Sequence, residues 1–149
     1  FTAEEAWQSR YNDKENSVHL QTYYKAEKIW ENSLIGKKWT EIRELRSVVT
    51  TAIEEKRKEG LLGSSLQAKV IIEADENTLN KLSDINLPDV FICSEVETNI
   101  NSKIDETNFS VQIELASGGK CQRCWKIVKE VKDEIELCNR CTGVIKKNK

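Results

Sequence analysis

Four of the five cysteines are spaced in a way that can do chemistry. Cys121-Gln-Arg-Cys124 and Cys138-Asn-Arg-Cys141 form two Cys-x-x-Cys knuckles, with 13 residues between them. A two-residue gap lets one tight turn aim both sulfurs at a single ion, and four thiolates enclose Zn2+ tetrahedrally. The separation is a little shorter than the commonest spacing of such pairs. Two disulfides or free thiols are the competing readings. No basic-then-apolar leader opens the chain, and in the cytosol disulfides are disfavoured. The expectation is therefore one zinc ion on Cys121, Cys124, Cys138 and Cys141. With sulfur in all four positions none is left to activate a water, so the ion is expected to be structural. So short a segment has little core, and metal binding would supply most of its folding free energy.

Other candidate chemistry is sparse. Cys93 stands in an apolar run and is expected to be a buried small hydrophobe. His19 is the only histidine; without a spaced partner it is expected on the surface or in the core, not as a ligand or base, and no Ser-His-Asp or Cys-His set can be built. Gly60-Leu61-Leu62-Gly63 lacks the Lys-Ser/Thr of a phosphate-cradling loop. No catalytic residues are assigned.

Charge is unevenly distributed, which fits a polyanionic partner or an ordinary solvated surface. The formal net charge is −2, but residues 61–116 carry 3 basic and 10 acidic side chains, whereas residues 117–149 carry 9 and 4 and residues 37–60 carry 7 and 5. A nucleic acid would be repelled by the first of these blocks and drawn to the other two. Lys120, Arg123, Lys126, Lys129, Lys132 and Arg140 stud the cysteine segment, with Trp125 directly after the first knuckle. Basic side chains around an aromatic suit a phosphate backbone and an unstacked base. The plainer alternatives are a solvated surface and, for Trp125, a side chain packed over the zinc hairpin.

These residues must be positioned by elements that the pattern also predicts. Thr2 and Glu5 have capping-box spacing, so a helix is expected over about Ala3 to Arg10 with Ala6 and Trp7 inward. Asn12 to Asn16 reads as a loop and Ser17 to Leu20 as an extended piece. A long amphipathic helix is predicted from about Lys37 to Glu59, with Trp39, Ile42, Leu45, Val49, Ala52 and Ile53 in one stripe and Gly60 as its C′ residue. Arg43, Arg46, Thr50 and Arg57 line one flank of that stripe, as a solvated border or a row of phosphate contacts. Residues 61–116 read as a small β-α-β-β unit: strands over Leu66–Ala74, Val90–Val96 and Phe109–Leu115, a helix over Thr78–Ile85 with Pro88 at its exit, and a long polar hairpin loop over Asn99–Asn108. Trp125 to Leu137 is expected to fold as a hairpin with its turn near Lys132-Asp133. The fold class is α+β: a helical segment with one long amphipathic helix, the small mixed unit and a C-terminal four-cysteine zinc hairpin. The absence of methionine and the opening Phe1-Thr-Ala-Glu-Glu suggest a piece of a longer protein. With 38% hydrophobic and 32% charged residues and no apolar run near the ~20 needed to span a bilayer, no membrane role is expected.

Three stretches resemble the C-terminal region of bacterial isoleucyl-tRNA synthetase, in that family's order: Phe1-Thr-Ala-Glu-Glu-Ala-Trp7 with Ser17-Val-His-Leu20; Trp39-Thr-Glu-Ile-Arg-Glu-Leu-Arg46 through Ala52-Ile-Glu-Glu-Lys-Arg57 to Gly63-Ser-Ser-Leu66-Gln-Ala68; and Lys120-Cys-Gln-Arg-Cys-Trp125 with Leu137-Cys-Asn-Arg-Cys141. The resemblance implies an aminoacyl-tRNA ligase of protein biosynthesis, cytoplasmic, which attaches isoleucine to its tRNA using ATP. The HIGH and KMSKS motifs and the editing domain are missing here, so this piece alone should be inactive, with ATP bound only by the full-length enzyme. It implies residues 1–60 as the end of a helical anticodon-binding domain, 61–116 as a small α+β extension and 117–149 as a zinc-binding module. Expected partners are tRNA, through Arg43, Arg46, Arg57, Arg123, Trp125, Lys126 and Arg140, and the upstream catalytic and editing domains of the same polypeptide; a monomer is expected. Asn99–Asn108 and the tail Thr142–Lys149 depart from the family. Two rivals remain: the zinc terminus of a DNA-repair glycosylase, which requires a helix-two-turn-helix before the hairpin, and a zinc-stabilised protein-interaction module.

Overall fold

The computed structural model describes residues 1–11, 16–105, 108–132 and 136–147. They divide into two compact units, Phe1–Ser33 and Leu34–Lys149.

In the first unit, α1 (Thr2–Tyr11) begins at Thr2 itself, so Thr2 lies inside the helix and the expected capping box does not form; the first turn closes when Glu5 N–H donates to Phe1 C=O at 2.9 Å. Trp7 is half-buried and its indole N–H donates to Asn16 C=O at 2.7 Å, whereas Ala6, expected to face inward beside it, is exposed. The organising side chain is Glu4. Its carboxylate accepts from Gln8 (3.0 Å), Ser17 Oγ (2.8 Å) and Val18 N–H (3.0 Å), and these donors, Gln8 foremost, hold it below its ordinary value. The Glu4 bonds draw residues 17–18 back onto the helix, and Val18–Leu20 forms a 3-10 turn capped by Ser17 instead of the expected extended piece. His19 is exposed. Of the expected Asn12–Asn16 loop, residues 12–15 lie outside the described residues.

The second unit is built on α2 (Ser33–Lys58), which starts earlier than its periodicity predicts. Ile42, Leu45, Val49 and Ile53 are its buried stripe; Trp39, expected to head that stripe, is 39% exposed. Gly60 ends it as expected: at φ +80° it lets Gly60 N–H reach Arg57 C=O and Leu61 N–H reach Lys56 C=O, both at 3.0 Å, the double bond of a Schellman close.

Next comes a three-stranded sheet in the order β2-β1-β3. β1 (Ala68–Ala74) buries Ala68, Val70, Ile72 and Ala74 in alternation. It pairs in parallel with β2 (Glu95–Ile100) and antiparallel with β3 (Phe109–Leu115). A parallel neighbour needs a crossover, supplied by α3 (Glu76–Leu82) and α4 (Leu87–Phe91). Asp75 caps α3 by accepting from Asn77 and Thr78 N–H, which starts the helix two residues before the expected Thr78. Of the predicted strand over Val90–Val96 only Glu95 and Val96 are extended, as the start of β2; Val90 and Phe91 belong to α4 and residues 92–94 to a turn. Pro88 sits in the first turn of α4, where its missing N–H costs nothing, and does not mark an exit; Ile92 at φ +55° then reverses the chain. The apolar run is buried because Phe91 and Cys93 point into the core from this turn. Asn99–Asn108 is not a hairpin loop either. Ala74 is in register with both Ile100 and Phe109, so the connection crosses the end of β1 from one sheet edge to the other, held at its start by Asn101 N–H on Ala74 C=O (2.9 Å); residues 106–107 lie outside the described residues.

One core joins the stripe of α2, the inner face of β1, Ile113 of β3, and Leu82, Leu87 and Phe91 from the crossover. The α+β class is borne out. Among the described residues, no helix is long and apolar enough to cross a membrane.

Candidate metal centre

The C-terminal segment opens with a minimal hairpin. β4 (Gly119–Lys120) pairs with β5 (Ile127–Val128), in register Gly119↔Val128 and Lys120↔Ile127. The first knuckle, Cys121 to Cys124, is the loop of this hairpin. The predicted hairpin over Trp125–Leu137 is thus displaced towards the N-terminus by the pairing of β5 with β4. Of its expected turn, Lys132 N–H donates to Glu136 Oε2 at 3.0 Å, and Asp133 lies outside the described residues. The two glycines before the knuckle make this approach possible. A Cβ on Gly119 would lie 2.4 Å from Val131 C=O, and Gly118 combines φ +122° with a similar clash against Val128. The second knuckle is presented differently, Cys138 just before α5 (Asn139–Lys147) and Cys141 in its first turn. The expected tail from Thr142 is helical through Lys147.

All four sulfurs lie within 4.8 Å of one another, and none is in a disulfide. A tetrahedron with metal–sulfur bonds of about 2.3 Å has edges of about 3.8 Å; Cys124 Sγ and Cys138 Sγ are 3.8 Å apart. Cys121, Cys138 and Cys141 are buried and Cys124 half-buried. Burial opposes ionisation of Cys121, but backbone N–H groups of Cys124, Cys138 and Arg123 outweigh it and bring the thiol down to about 6. Burial pushes Cys138 up to about 12 and also raises Cys124. Cys121 is thus an anchored first thiolate, and Cys124 and Cys138 resist joining it until a cation balances the charge, as suits a metal-accepting set. Besides the four cysteines, the local core among the described residues holds only Val131, with Val128 and Leu137 partly buried against it. Four converging thiols, three buried and one half-buried, fit a metal ion; the same set without one has little to hold it together. Cys93 is separate. It is fully buried, burial raises its thiol to about 11, and its sulfur lies 3.5 Å from Glu95 C=O.

The basic residues singled out in the sequence are variously engaged. Arg43 is exposed and bonds Trp39 C=O at 3.1 Å within its own helix. Arg46, also exposed, donates Nε–H to Val90 C=O at 2.8 Å and so ties α2 to α4. Arg57 pairs with Glu54 at 2.7 Å. Arg123 has one guanidinium nitrogen 3.9 Å from Cys141 Sγ. Lys126 pairs with Asp89 at 2.5 Å and its side chain is only 19% exposed, while Arg140 is exposed. Trp125 is not packed over the hairpin: it is 60% exposed, stands at φ +64°, and has Lys120 Nζ 5.9 Å from its ring centroid. Asp89, Ser94 and the Gly118-Gly119 pair hold the site and were missed; only the glycines, adjoining a cysteine knuckle, carried a signal in sequence. The segment before the hairpin is β3, not the helix-two-turn-helix that a glycosylase terminus requires.

Residues 1–72 match the family described as the anticodon-binding domain of tRNA ligase. Along nearly its whole length the chain is similar to isoleucine–tRNA ligases. Those of Gluconobacter oxydans (strain 621H), Zymomonas mobilis and Staphylococcus epidermidis are 36%, 35% and 39% identical to it over 148, 145 and 153 residues. Each alignment covers 97% of this chain but only 15–16% of the relative. The family resemblance read from the sequence is borne out, and the chain spans about 15% of the length of these relatives.

Proposed function

We propose that the chain is the C-terminal part of an isoleucine–tRNA ligase, that it holds one structural zinc ion, and that it contributes contacts to the anticodon arm of tRNA. The observation that carries this reading is the alignment of 97% of the chain with isoleucine–tRNA ligases, with residues 1–72 similar to the anticodon-binding family of tRNA ligases. On this reading residues 1–60 end the helical anticodon-binding domain, 61–116 are an α+β extension and 117–149 form the zinc module. Attachment of isoleucine with ATP would belong to a catalytic domain, accompanied by an editing domain, elsewhere in the same cytoplasmic, monomeric enzyme. Zinc suits a set of four thiolates better than harder cations do. Bound there it would act as a cross-link between the two knuckles, with no open position for substrate.

For the RNA, Arg43 and Arg46 on α2 and Arg123 and Arg140 around the knuckles would meet phosphate, and Trp125 would stack on a base; Lys126, expected among the phosphate contacts, is engaged by Asp89 instead. The exposed Trp125 ring with Lys120 near its face is the feature of the module best suited to an unstacked nucleotide. Arg57 must first leave Glu54, at little cost because exposed pairs contribute at most about 1 kcal/mol. The test is binding of cognate and non-cognate tRNA across a salt series for Arg46→Ala, Arg123→Ala and Trp125→Ala, each checked for zinc content. Each Arg→Ala variant should weaken both tRNAs alike and lower the salt slope by about one unit. Trp125→Ala should cost about 1–3 kcal/mol with the slope unchanged. Unaltered affinity and slope in both arginine variants would contradict the reading and favour a protein-interaction module.

A further inference from the structure

The exposed Trp125 is pinned on both sides. Before it stands Cys124 of the sulfur cluster. After it come Lys126 and Ile127, and both are tied to the α+β layer. Lys126 Nζ lies 2.5 Å from Asp89 Oδ1 of α4, an ion pair spanning 37 residues of sequence. Ile127 N–H donates to Ser94 Oγ at 2.7 Å. The Ser94 hydroxyl in turn donates to Leu66 C=O, and Ser94 N–H donates to Ala68 C=O at 3.1 Å, at the start of β1. Within the knuckle, Cys121 N–H donates to Lys126 C=O (3.0 Å) and Trp125 N–H to Cys121 C=O (2.9 Å). Trp125 itself adopts φ +64°, a left-handed conformation that a bulky residue holds only where its surroundings over-determine it, and such strain gathers at ligand-binding positions.

We propose that Asp89, Ser94 and Lys126 form a clasp that locks the first knuckle onto the α+β unit and thereby fixes the direction in which Trp125 is offered to RNA. This deepens the RNA-binding reading and rests on it. Lys126 is then a positioning residue, its charge spent on Asp89, and not a phosphate contact. The acidic unit, which repels a polyanion overall, uses one of its carboxylates to aim the basic module.

Charge and positioning predict opposite signs. Asp89→Asn removes a negative charge and frees Lys126, so electrostatics alone makes tRNA binding tighter. The clasp makes it weaker by roughly two- to tenfold, the cost of ordering on binding a side chain that was ordered beforehand. The experiment takes the full zinc-loaded chain, measures tRNA affinity across salt, and follows exchange of the Ile127 amide proton. The variants are Asp89→Asn, Ser94→Ala and the exchange Asp89→Lys with Lys126→Asp. The clasp predicts weaker binding and faster Ile127 exchange in both single variants at unchanged zinc content, and recovery of both in the exchanged pair. Tighter binding by Asp89→Asn, or unchanged Ile127 exchange in both single variants, overturns it. So does an exchanged pair that stays weak with a salt slope about one unit lower, which would make Lys126 a phosphate contact. If the unaltered chain binds no tRNA, the RNA-binding reading fails and the positioning role with it, whereas a binding chain whose variants behave like it refutes the clasp alone.

Discussion

Cys124→Ser should empty the metal site and unfold residues 119–147, leaving α2 and the three-stranded sheet intact. The expectation follows from how little else holds this segment. Its hairpin has two residues per strand, and among the described residues Val131 is its only fully buried side chain apart from the cysteines. Structural zinc supplies about 10–16 kcal/mol of apparent binding free energy at neutral pH, far more than such a core can. The core of α2, β1 and the crossover shares no residue with the sulfur cluster, so damage should stay local. Metal analysis should fall from about one zinc per chain to near zero. Amide exchange should become fast at Lys120 and Val128 while remaining slow at Val70 and Ile72. Full metal content with a protected hairpin would show that the cysteines do not hold the segment.

The second large effect is expected at Phe91→Ala. Phe91 is 1% exposed and is the largest fully buried side chain in the chain's described core. Truncating a buried Phe costs about 3–5 kcal/mol in lost transfer energy and cavity, against a typical domain stability of about 5–15 kcal/mol. Denaturant unfolding of the α+β unit should shift to a much lower midpoint. Zinc content should stay near one per chain, because all four ligands lie between residues 121 and 141. The two substitutions thus dissect the unit from opposite ends. A Phe91→Ala chain of unaltered midpoint would mean that α4 is not part of the core.

The parts of this structure that were legible in sequence are those set by short-range periodicity. The stripe Ile42, Leu45, Val49, Ile53 repeats at helical spacing over several turns, β1 alternates except at Ile71, and two Cys-x-x-Cys knuckles admit few arrangements. Residues 90–94 were misread because a short continuous apolar run has no period: it fits a buried strand as well as a helix and turn, and only the tertiary placement of Phe91 and Cys93 decides. The hairpin around the first knuckle was missed because its strands are too short to show alternation; the sign of it was the glycine pair that a close backbone approach requires. The left-handed Trp125, the Arg46 bond to Val90 and the Asp89–Lys126 pair depend on contacts between distant segments, so no local pattern announces them.

In the proposed function the metal centre and the RNA contacts form one proposal: the ion would hold in place the surface that meets RNA. Its most direct test is tRNA affinity of the unaltered chain with zinc bound, after chelation, and after zinc is restored. The account predicts salt-sensitive binding that weakens at least tenfold on chelation and returns with the metal, as Trp125 and its basic neighbours lose and regain their fixed arrangement. Equal affinity with and without zinc would contradict it.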